Sequence, residues 1–541
     1  MGKNQNMESG KQLYNHKYDW YIIIGLAIIK LIVHFATNTN YGLHRDAYLY
    51  IAQSDHLAWG YISVPPFTAT LIQFSRWLLG DSVFAMRFFP ALAGAINIVL
   101  IGAMVKAMGG RRLAIVLACT AYLLSPAFLR ANTMLQPVTF NHLFWLLSAY
   151  FLVKLIASRD PWYWIAIGIT AGIGFMNKYS VVFIFTGLFL SLLTTSERKW
   201  FTSRYLYLGF FIAILIALPN IFWQYWHNWP VVYHMELLQE SQLVNVEYTG
   251  FLLMQLLMNM NVAIIWLAGL AFFLFMRQGK AYRTLGFIFL FTTLVLLFLR
   301  GKPYYTLGLY PMLFAGGGIA FEIWFQKRAR AVPYLAIALM AIFLVPILPI
   351  SLPVYSYEKM EHYGEWASGY GMKEALRWED GEYYSLPQDY ADMTGWEETA
   401  KNVADLYHSF GEDEKSKTLI YASNYGQAGA IMLYSEKYDL PQPACFNGSF
   451  VFWLPDSISV DRAIMVEDWQ QDDSGLFNSI ELITQVKNPY ARDKGYVYFA
   501  IEPHNDINAK WTKLVHERKM QFSRKLKRAE KKRLKNLQIK N

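Results

Sequence analysis

One carboxylate and a scatter of cations are the residues of this chain best suited to chemistry. Asp46 stands beside Arg45 in YGLHRDAYLY, with Tyr41, Tyr48 and Tyr50 around it. Arg76, Arg87, Arg130, Lys178, Arg300 and Lys302 lie near the ends of apolar runs. A carboxylate can take a proton from a hydroxyl, and cations can hold the charge of a phosphate. Lys178, in AGIGFMNKYSVV, occupies a turn between two apolar runs too short for much of a loop. Lys302, in LRGKPYYTLGLYP, is followed by Tyr304 and Tyr305. Such tyrosines either form a belt at headgroup level or a wall on which a sugar can stack. Any one of these cations can equally be a snorkelling side chain that anchors a helix end. As a set they suit an anionic ligand whose tail stays in lipid, a polyprenyl phosphate being the obvious one. Asp46 has two readings, a helix N-cap before AYLYIAQSDHLAW or a base.

The elements that position these residues are membrane helices. The chain has 541 residues, 55% hydrophobic and 17% aromatic, with mean hydropathy +0.20, and several runs approach the ~20 apolar residues that cross a bilayer. Expected helices fall at 20–37, 83–106, 112–129, 138–156, 161–176, 179–195, 205–222, 251–275, 284–300, 304–325 and 332–353, about eleven in all. Alternate connectors are rich in cations: Lys106, Arg111 and Arg112; Lys154 and Arg159; Arg198, Lys199 and Arg204; Arg277, Lys280 and Arg283; Lys327, Arg328 and Arg330. The positive-inside rule makes that set cytoplasmic, with the N-terminus, in the cell's inner (plasma) membrane. The polar start before Trp20 reads as a signal anchor. The 41–80 loop, the 223–250 loop and everything after about 354 are then extracytoplasmic. Residues 41–80 form an amphipathic stretch expected to lie on the membrane surface and to present Asp46 there.

From about 355 the composition turns polar and acidic. WEETAKNVADLYHSF and GQAGAIMLYSEKY read as helices, and TLIYAS, AIMVED and YVYFAIE as strands, which together suggest a small α/β domain. SNYGQAG reads as an ordinary strand-to-helix turn, or as one holding an anion at a helix N-terminus. From Lys510 there are 13 Lys or Arg against 2 acidic residues, so of the net charge of +9 the tail carries +11 and the body −2. Trp511, Leu514, Val515, Phe522 and Leu526 give the tail a loose helical period, fit either for lipid headgroups or for a solvated extension. The expected organisation is a transmembrane domain over 1–354, with its amphipathic first loop at 38–82, an α/β domain over 355–510 and a basic tail over 511–541. Cys119 and Cys445 fall in a membrane helix and in the polar half, so no disulfide framework is indicated. No Cys/His spacing suggests zinc. His44, Asp55 and His56 read as surface or capping residues. Lys30, His34, Asn97, Asn141 and His142 are polar groups in or beside apolar runs.

RDAYLYIAQSDHLAWGYISVPPF, MLQPVTFNHLFW, GFMNKYS, LPNIFWQYWHNWP, GKPYYTLGLYPMLFAGG and LPQDYADMTGWEE, in this order, resemble bacterial integral-membrane glycosyltransferases. The group is the protein-O-mannosyltransferase-like one, glycosyltransferase family 39 and relatives such as the lipid A aminoarabinose transferases. The resemblance implies a GT-C fold and transfer of a monosaccharide from a polyprenyl-phosphate donor to an extracytoplasmic glycolipid, glycan or protein. It implies that Asp46 is the catalytic base or binds the acceptor, sometimes with a metal, and that Lys178 and Lys302 hold the donor phosphate. Arg45, Arg130 and Arg300 join them as candidate phosphate ligands, and Tyr48, Tyr304 and Tyr305 as candidate substrate-binding residues. The chain departs from the family at Ala47, where relatives have Glu; at Ser63-Val64, where they have Asp-Gln; and at Asn141, where they have Asp. A divalent metal is therefore disfavoured and an inverting, metal-independent mechanism with one carboxylate is the default. A lipid-linked sugar transporter or flippase, and an inactive scaffold relative, are the alternative classes; no internal repeat favours the transporter.

Overall fold

The computed structural model describes residues 17–325, 329–471 and 476–524. Its first part is a bundle of apolar helices. α1 (Lys17–Thr37) runs into a turn, two short helices α2 (Arg45–Asp55) and α3 (Phe67–Leu79) follow, and α4 (Val83–Ala107) and α5 (Arg112–Leu124) re-enter the bundle. The remaining bundle helices include Pro137–Ser158, Tyr163–Asn177, Val181–Thr194, Arg204–Trp226, Ala263–Phe275, Arg283–Phe298 and Tyr310–Phe325. All eleven expected runs carry helix. Among the described residues, however, six helices are long and apolar enough to cross a membrane, or eight if each bent pair is one span. Several runs break. The 112–129 run splits at Ser125, because Pro126 has no N–H with which to continue the ladder. The 251–275 run bends by 60° near Met260.

Ion pairs group the ends of these helices. Asp19 at the start of α1 meets Lys106 at the end of α4 and Arg112 at the start of α5, at 3.1 and 3.4 Å. Glu322 accepts from the backbone N–H groups of Arg111 and Ala114. At the other end, Arg87 is 1% exposed and donates to the carbonyls of Asn38, Asn40 and Gly42. Up-and-down alternation of α1, α4 and α5 follows from these contacts.

The second part is built on a four-stranded mixed sheet. β1 (Thr418–Ala422) is parallel to β2 (Arg462–Glu467). β4 (Tyr496–Pro503) runs antiparallel to both β2 and β3 (Phe477–Thr484), in the order β1-β2-β4-β3. Side chains alternate across a strand, and β2 uses both faces. Ile464 and Val466 pack with Val403 and Ala404 of the helix Trp396–His408, and Ala463 and Met465 with Trp511 and Val515 of the helix Ile507–Gln521. The first half of the basic tail is therefore a docked helix, tied by Lys519 to the Leu454 carbonyl at 2.6 Å and to Asp456 at 2.8 Å. Leu526 and the rest of the tail lie outside the described residues. β3 was missing from the expected strands because it is an edge strand with one short buried end and no clean alternation.

The 41–80 segment also differs from expectation. Leu49 and Ala52 of α2 belong to the same apolar cluster as the sheet, and Ile62 belongs to the cluster on its other face. α2 is thus a layer between the two parts of the molecule and not a helix resting on lipid. The surface-lying character belongs to α3, where Phe74, Trp77 and Leu78 are exposed, Trp77 by 77%.

Candidate active site

Asp46 sits in the first turn of α2, and the N-cap is its neighbour: the His44 Nδ1 accepts the Asp46 N–H at 3.2 Å. The capping role proposed for Asp46 therefore falls to His44, and the Asp46 carboxylate is left for other partners. One oxygen accepts from the Tyr425 hydroxyl at 2.7 Å, and the other from the Gln136 amide at 3.2 Å. Two backbone clamps fix the start of α2. The N–H of Gly42 donates to the Met393 carbonyl at 3.1 Å, and that of Arg45 to the Asp392 carbonyl at 3.0 Å. A Cβ on Gly42 would lie 2.5 Å from the Met393 oxygen, so the strand-like approach needs glycine. Asp392 is itself held by Arg492 at 2.9 Å, and the Trp396 indole N–H donates to its carbonyl at 2.6 Å. This is the work of LPQDYADMTGWEE: it grips the residues just before the carboxylate.

Lys178 is the second charged group of the site. It is the residue after the helix Tyr163–Asn177 and lies within electrostatic range of both Asp46 and Lys302. Its ammonium stands 5.8 Å from the ring centre of Tyr305, which packs edge-on against Tyr304 at 4.8 Å. Tyr50, one turn along α2, interacts electrostatically with Asp46 and Tyr305. His142 lies within electrostatic range of Lys178, and His234 of both lysines. Neither ring nitrogen of buried His142 has a hydrogen-bond partner, nor does the carbonyl oxygen of buried Asn141. The assembled site has the Asp46 carboxylate, two ammonium groups and four tyrosines, Tyr50, Tyr304, Tyr305 and Tyr425. It can accept a proton at Asp46 and hold an anion at the lysines.

The structure brings Asp46, Lys178, Lys302, Tyr304 and Tyr305 together and takes four candidates elsewhere. Arg45 stacks over the Tyr425 ring at 5.1 Å and lies toward Asp468 and Asp493 rather than beside the lysines. Arg130 is paired with Asp389. Arg300 donates to the Val244 carbonyl at 2.9 Å and stacks over Tyr248. Tyr48 is 1% exposed and packs against Trp396 at 5.3 Å, so Tyr50 occupies the place assigned to it. Gln136, His142, His234 and Tyr425 were not singled out as site residues. His142 carried the only sequence signal, as a polar group in an apolar run; Tyr425 carried none, since 379 residues separate it from Asp46.

SNYGQAG does not hold an anion. The Asn424 side chain accepts from the N–H groups of Gly426 and Gln427 at 2.7 and 3.0 Å, and Asp468 and Asp493 crowd the same end. The Asp468 carboxyl is raised by burial and by the neighbouring Asp493. Among the described residues no group of three His, Cys, Asp or Glu side chains is placed to hold a metal ion.

Residues 63–223 match the family model described as dolichyl-phosphate-mannose-protein mannosyltransferase. That range contains Gln136, His142 and Lys178 and leaves out Asp46, Lys302 and Tyr425. The lipid A galacturonosyltransferase RgtD of Rhizobium johnstonii is 25% identical over 224 residues, which is 40% of this chain. The match spans 45% of that relative's length. Among solved structures, ArnT of Cupriavidus metallidurans bound to undecaprenyl phosphate aligns with TM-score 0.58 at 15% identity, over 89% of this chain and 98% of that one. Its apo form aligns with TM-score 0.53 at 14% identity, over 90% and 98%. At these identities the two structures speak for the fold. The chain therefore shares the fold of ArnT, and residues 63–223 are similar to the protein-mannosyltransferase family.

Proposed function

We propose that the protein moves a monosaccharide from a polyprenyl-phosphate donor to the hydroxyl of an acceptor, with inversion, at the site between Asp46 and Lys178. The observation that carries this reading is that Lys178 lies within electrostatic range of both the Asp46 carboxylate and a second lysine, Lys302, beside the Tyr304–Tyr305 pair. Asp46 takes the acceptor hydroxyl's proton while the acceptor oxygen bonds the anomeric carbon. The bond from that carbon to the phosphate oxygen breaks, and its electron pair leaves with the phosphate. A phosphate monoester anion needs no proton to depart, so the chemistry asks for cations there, and Lys178 and Lys302 supply them. The one base on the acceptor's side suits in-line attack; the paired carboxylates of soluble glycosidases are not required. Tyr50, Tyr304 and Tyr305 offer rings and hydroxyls to the sugar. The complex of ArnT with undecaprenyl phosphate supports a lipid of that class as the carrier, and the lipid A transferase relative supports a glycolipid as the first acceptor to try, before glycans and proteins.

The packing of the α/β part on α2 supports a role for it in acceptor choice. The proposed setting is the inner membrane, with the site and the α/β part on the extracytoplasmic side. The test is release of polyprenyl phosphate by the full-length protein in lipid nanodiscs, from undecaprenyl phosphates carrying galacturonic acid, mannose or aminoarabinose. Release by the wild type and its loss in Asp46→Asn is the expected result. Release from none of the donors, or equal turnover in Asp46→Asn, contradicts the proposal.

A further inference from the structure

The helix Tyr425–Leu433 lies against α2 more closely than ordinary side chains permit. A Cβ on Gly429 would stand 2.5 Å from the Tyr48 carbonyl oxygen and 2.7 Å from its carbon. A Cβ on Gly426 would stand 2.8 Å from both the Arg45 side chain and the Trp396 ring. Glycines three apart present one bare face of a helix, and α2 occupies that face. The consequence is at the helix's first residue. Tyr425 reaches across the seam, with its hydroxyl donating to Asp46 and its ring under the Arg45 guanidinium at 5.1 Å. Burial foremost, then the charge of Asp46, raises the Tyr425 phenol well above its ordinary value, so it stays a neutral donor.

We infer that Tyr425 is a positioning residue of the reaction: the α/β part completes the active site by holding the Asp46 carboxylate through this hydroxyl. The inference rests on the proposed role of Asp46 and adds a function for the second half of the chain. A carboxylate on the first turn of a short helix has free rotation about its side-chain bonds. Gln136 fixes one oxygen from the bundle side, and Tyr425 fixes the other from the α/β side. The site is then assembled only when the two parts are docked. Arg45, one of the candidate phosphate ligands, works here as the stacking partner that keeps the Tyr425 ring in place. The strand-to-helix turn SNYGQAG is the start of this docking helix.

The experiment is a kinetic double-mutant cycle on the full-length protein in nanodiscs, using Asp46→Asn, Tyr425→Phe and the pair. The donor is whichever of the three undecaprenyl-phosphate sugars the wild type turns over best, and undecaprenyl phosphate itself is the binding probe. Tyr425→Phe keeps the ring and its stacking and removes one charge-assisted hydrogen bond. Its kcat is expected to fall about tenfold, with donor KM and undecaprenyl phosphate affinity unchanged. The double variant is expected to lose no more than Asp46→Asn alone, because the hydroxyl acts through that carboxylate. Wild-type kcat in Tyr425→Phe, with Asp46→Asn inactive, overturns the inference and leaves the proposed function standing. Losses that multiply, or weakened undecaprenyl phosphate binding in Tyr425→Phe, mark a structural role and also overturn it. Wild-type turnover in Asp46→Asn removes the reading on which the inference rests.

Discussion

Replacing Gly429 by alanine tests the seam between the two parts without touching any polar group. The new methyl would be 2.5 Å from the Tyr48 carbonyl oxygen, 2.7 Å from its carbon and 2.8 Å from its Cβ. Two of these atoms are backbone, so no side chain can swing away. Reaching an ordinary contact of ~3.5 Å takes about 1 Å of separation. The Tyr425 hydroxyl is 2.7 Å from Asp46, and about 1 Å more leaves it outside hydrogen-bond range. Overpacking costs about 1–3 kcal/mol and the lost charged hydrogen bond about 1.5–3 kcal/mol, against about 1 kcal/mol gained by alanine in a helix, for a net loss of roughly 1.5–5 kcal/mol. The assay is thermal unfolding in nanodiscs alongside polyprenyl phosphate release, with Gly369→Ala as control, where a Cβ meets nothing within 4 Å. Gly429→Ala should melt earlier than both wild type and control and turn over about as slowly as Tyr425→Phe. Wild-type melting and wild-type turnover in Gly429→Ala would refute the argument that this seam sets the Tyr425–Asp46 contact.

Lys178→Met should weaken undecaprenyl phosphate binding about tenfold or more while leaving the fold intact, since charged hydrogen bonds to phosphate are worth about 1.5–3 kcal/mol; affinity measured by native mass spectrometry checks it, and unchanged affinity counts against Lys178 as a phosphate ligand. Glu467 ends β2 at 4% exposure, and burial raises its carboxyl from 4.5 to about 7. The folded state then holds that proton where the unfolded chain has lost it, so stability falls as pH rises from about 4.5 to about 7, by about 3 kcal/mol for this group. Glu467→Gln should remove that part of the decline in melting temperature across this window; a decline of unchanged slope would refute the assignment. Alkaline phosphatase fused after residue 541 should be active in cells if the α/β part is extracytoplasmic, and an inactive, stably produced fusion contradicts that topology.

The bundle was legible because apolar runs of membrane length are set by local composition, and every expected run carries helix. What composition could not show is where a run breaks. Pro126 ends one helix and begins another, and the bend near Met260 has no proline to announce it. The sheet was legible in β1, β2 and β4, whose buried faces are apolar, and illegible in exposed β3. At the site, Asp46, Lys178 and Lys302 stood out because charges are scarce at the ends of apolar helices. Arg45, Arg130 and Tyr48 looked equally suitable in sequence. Their direction depends on which side of α2 meets the α/β part, and on Asp389, 259 residues from Arg130. Tyr425 and Gln136 are contacts made only by the finished tertiary structure. The Gly426–Gly429 spacing was visible, but as a turn motif; that it is a docking face is known only once α2 is seen lying on it.

In the proposed reaction a lipid-linked phosphate sits between Lys178 and Lys302 and faces Asp46. A structure of the full-length protein in nanodiscs with undecaprenyl phosphate tests it most directly. Phosphate density is expected within hydrogen-bond distance of the Lys178 ammonium, on the lysine side of the Asp46–Tyr425 pair. Phosphate density at Arg130 or Arg300, with the site beside Asp46 empty, would contradict it.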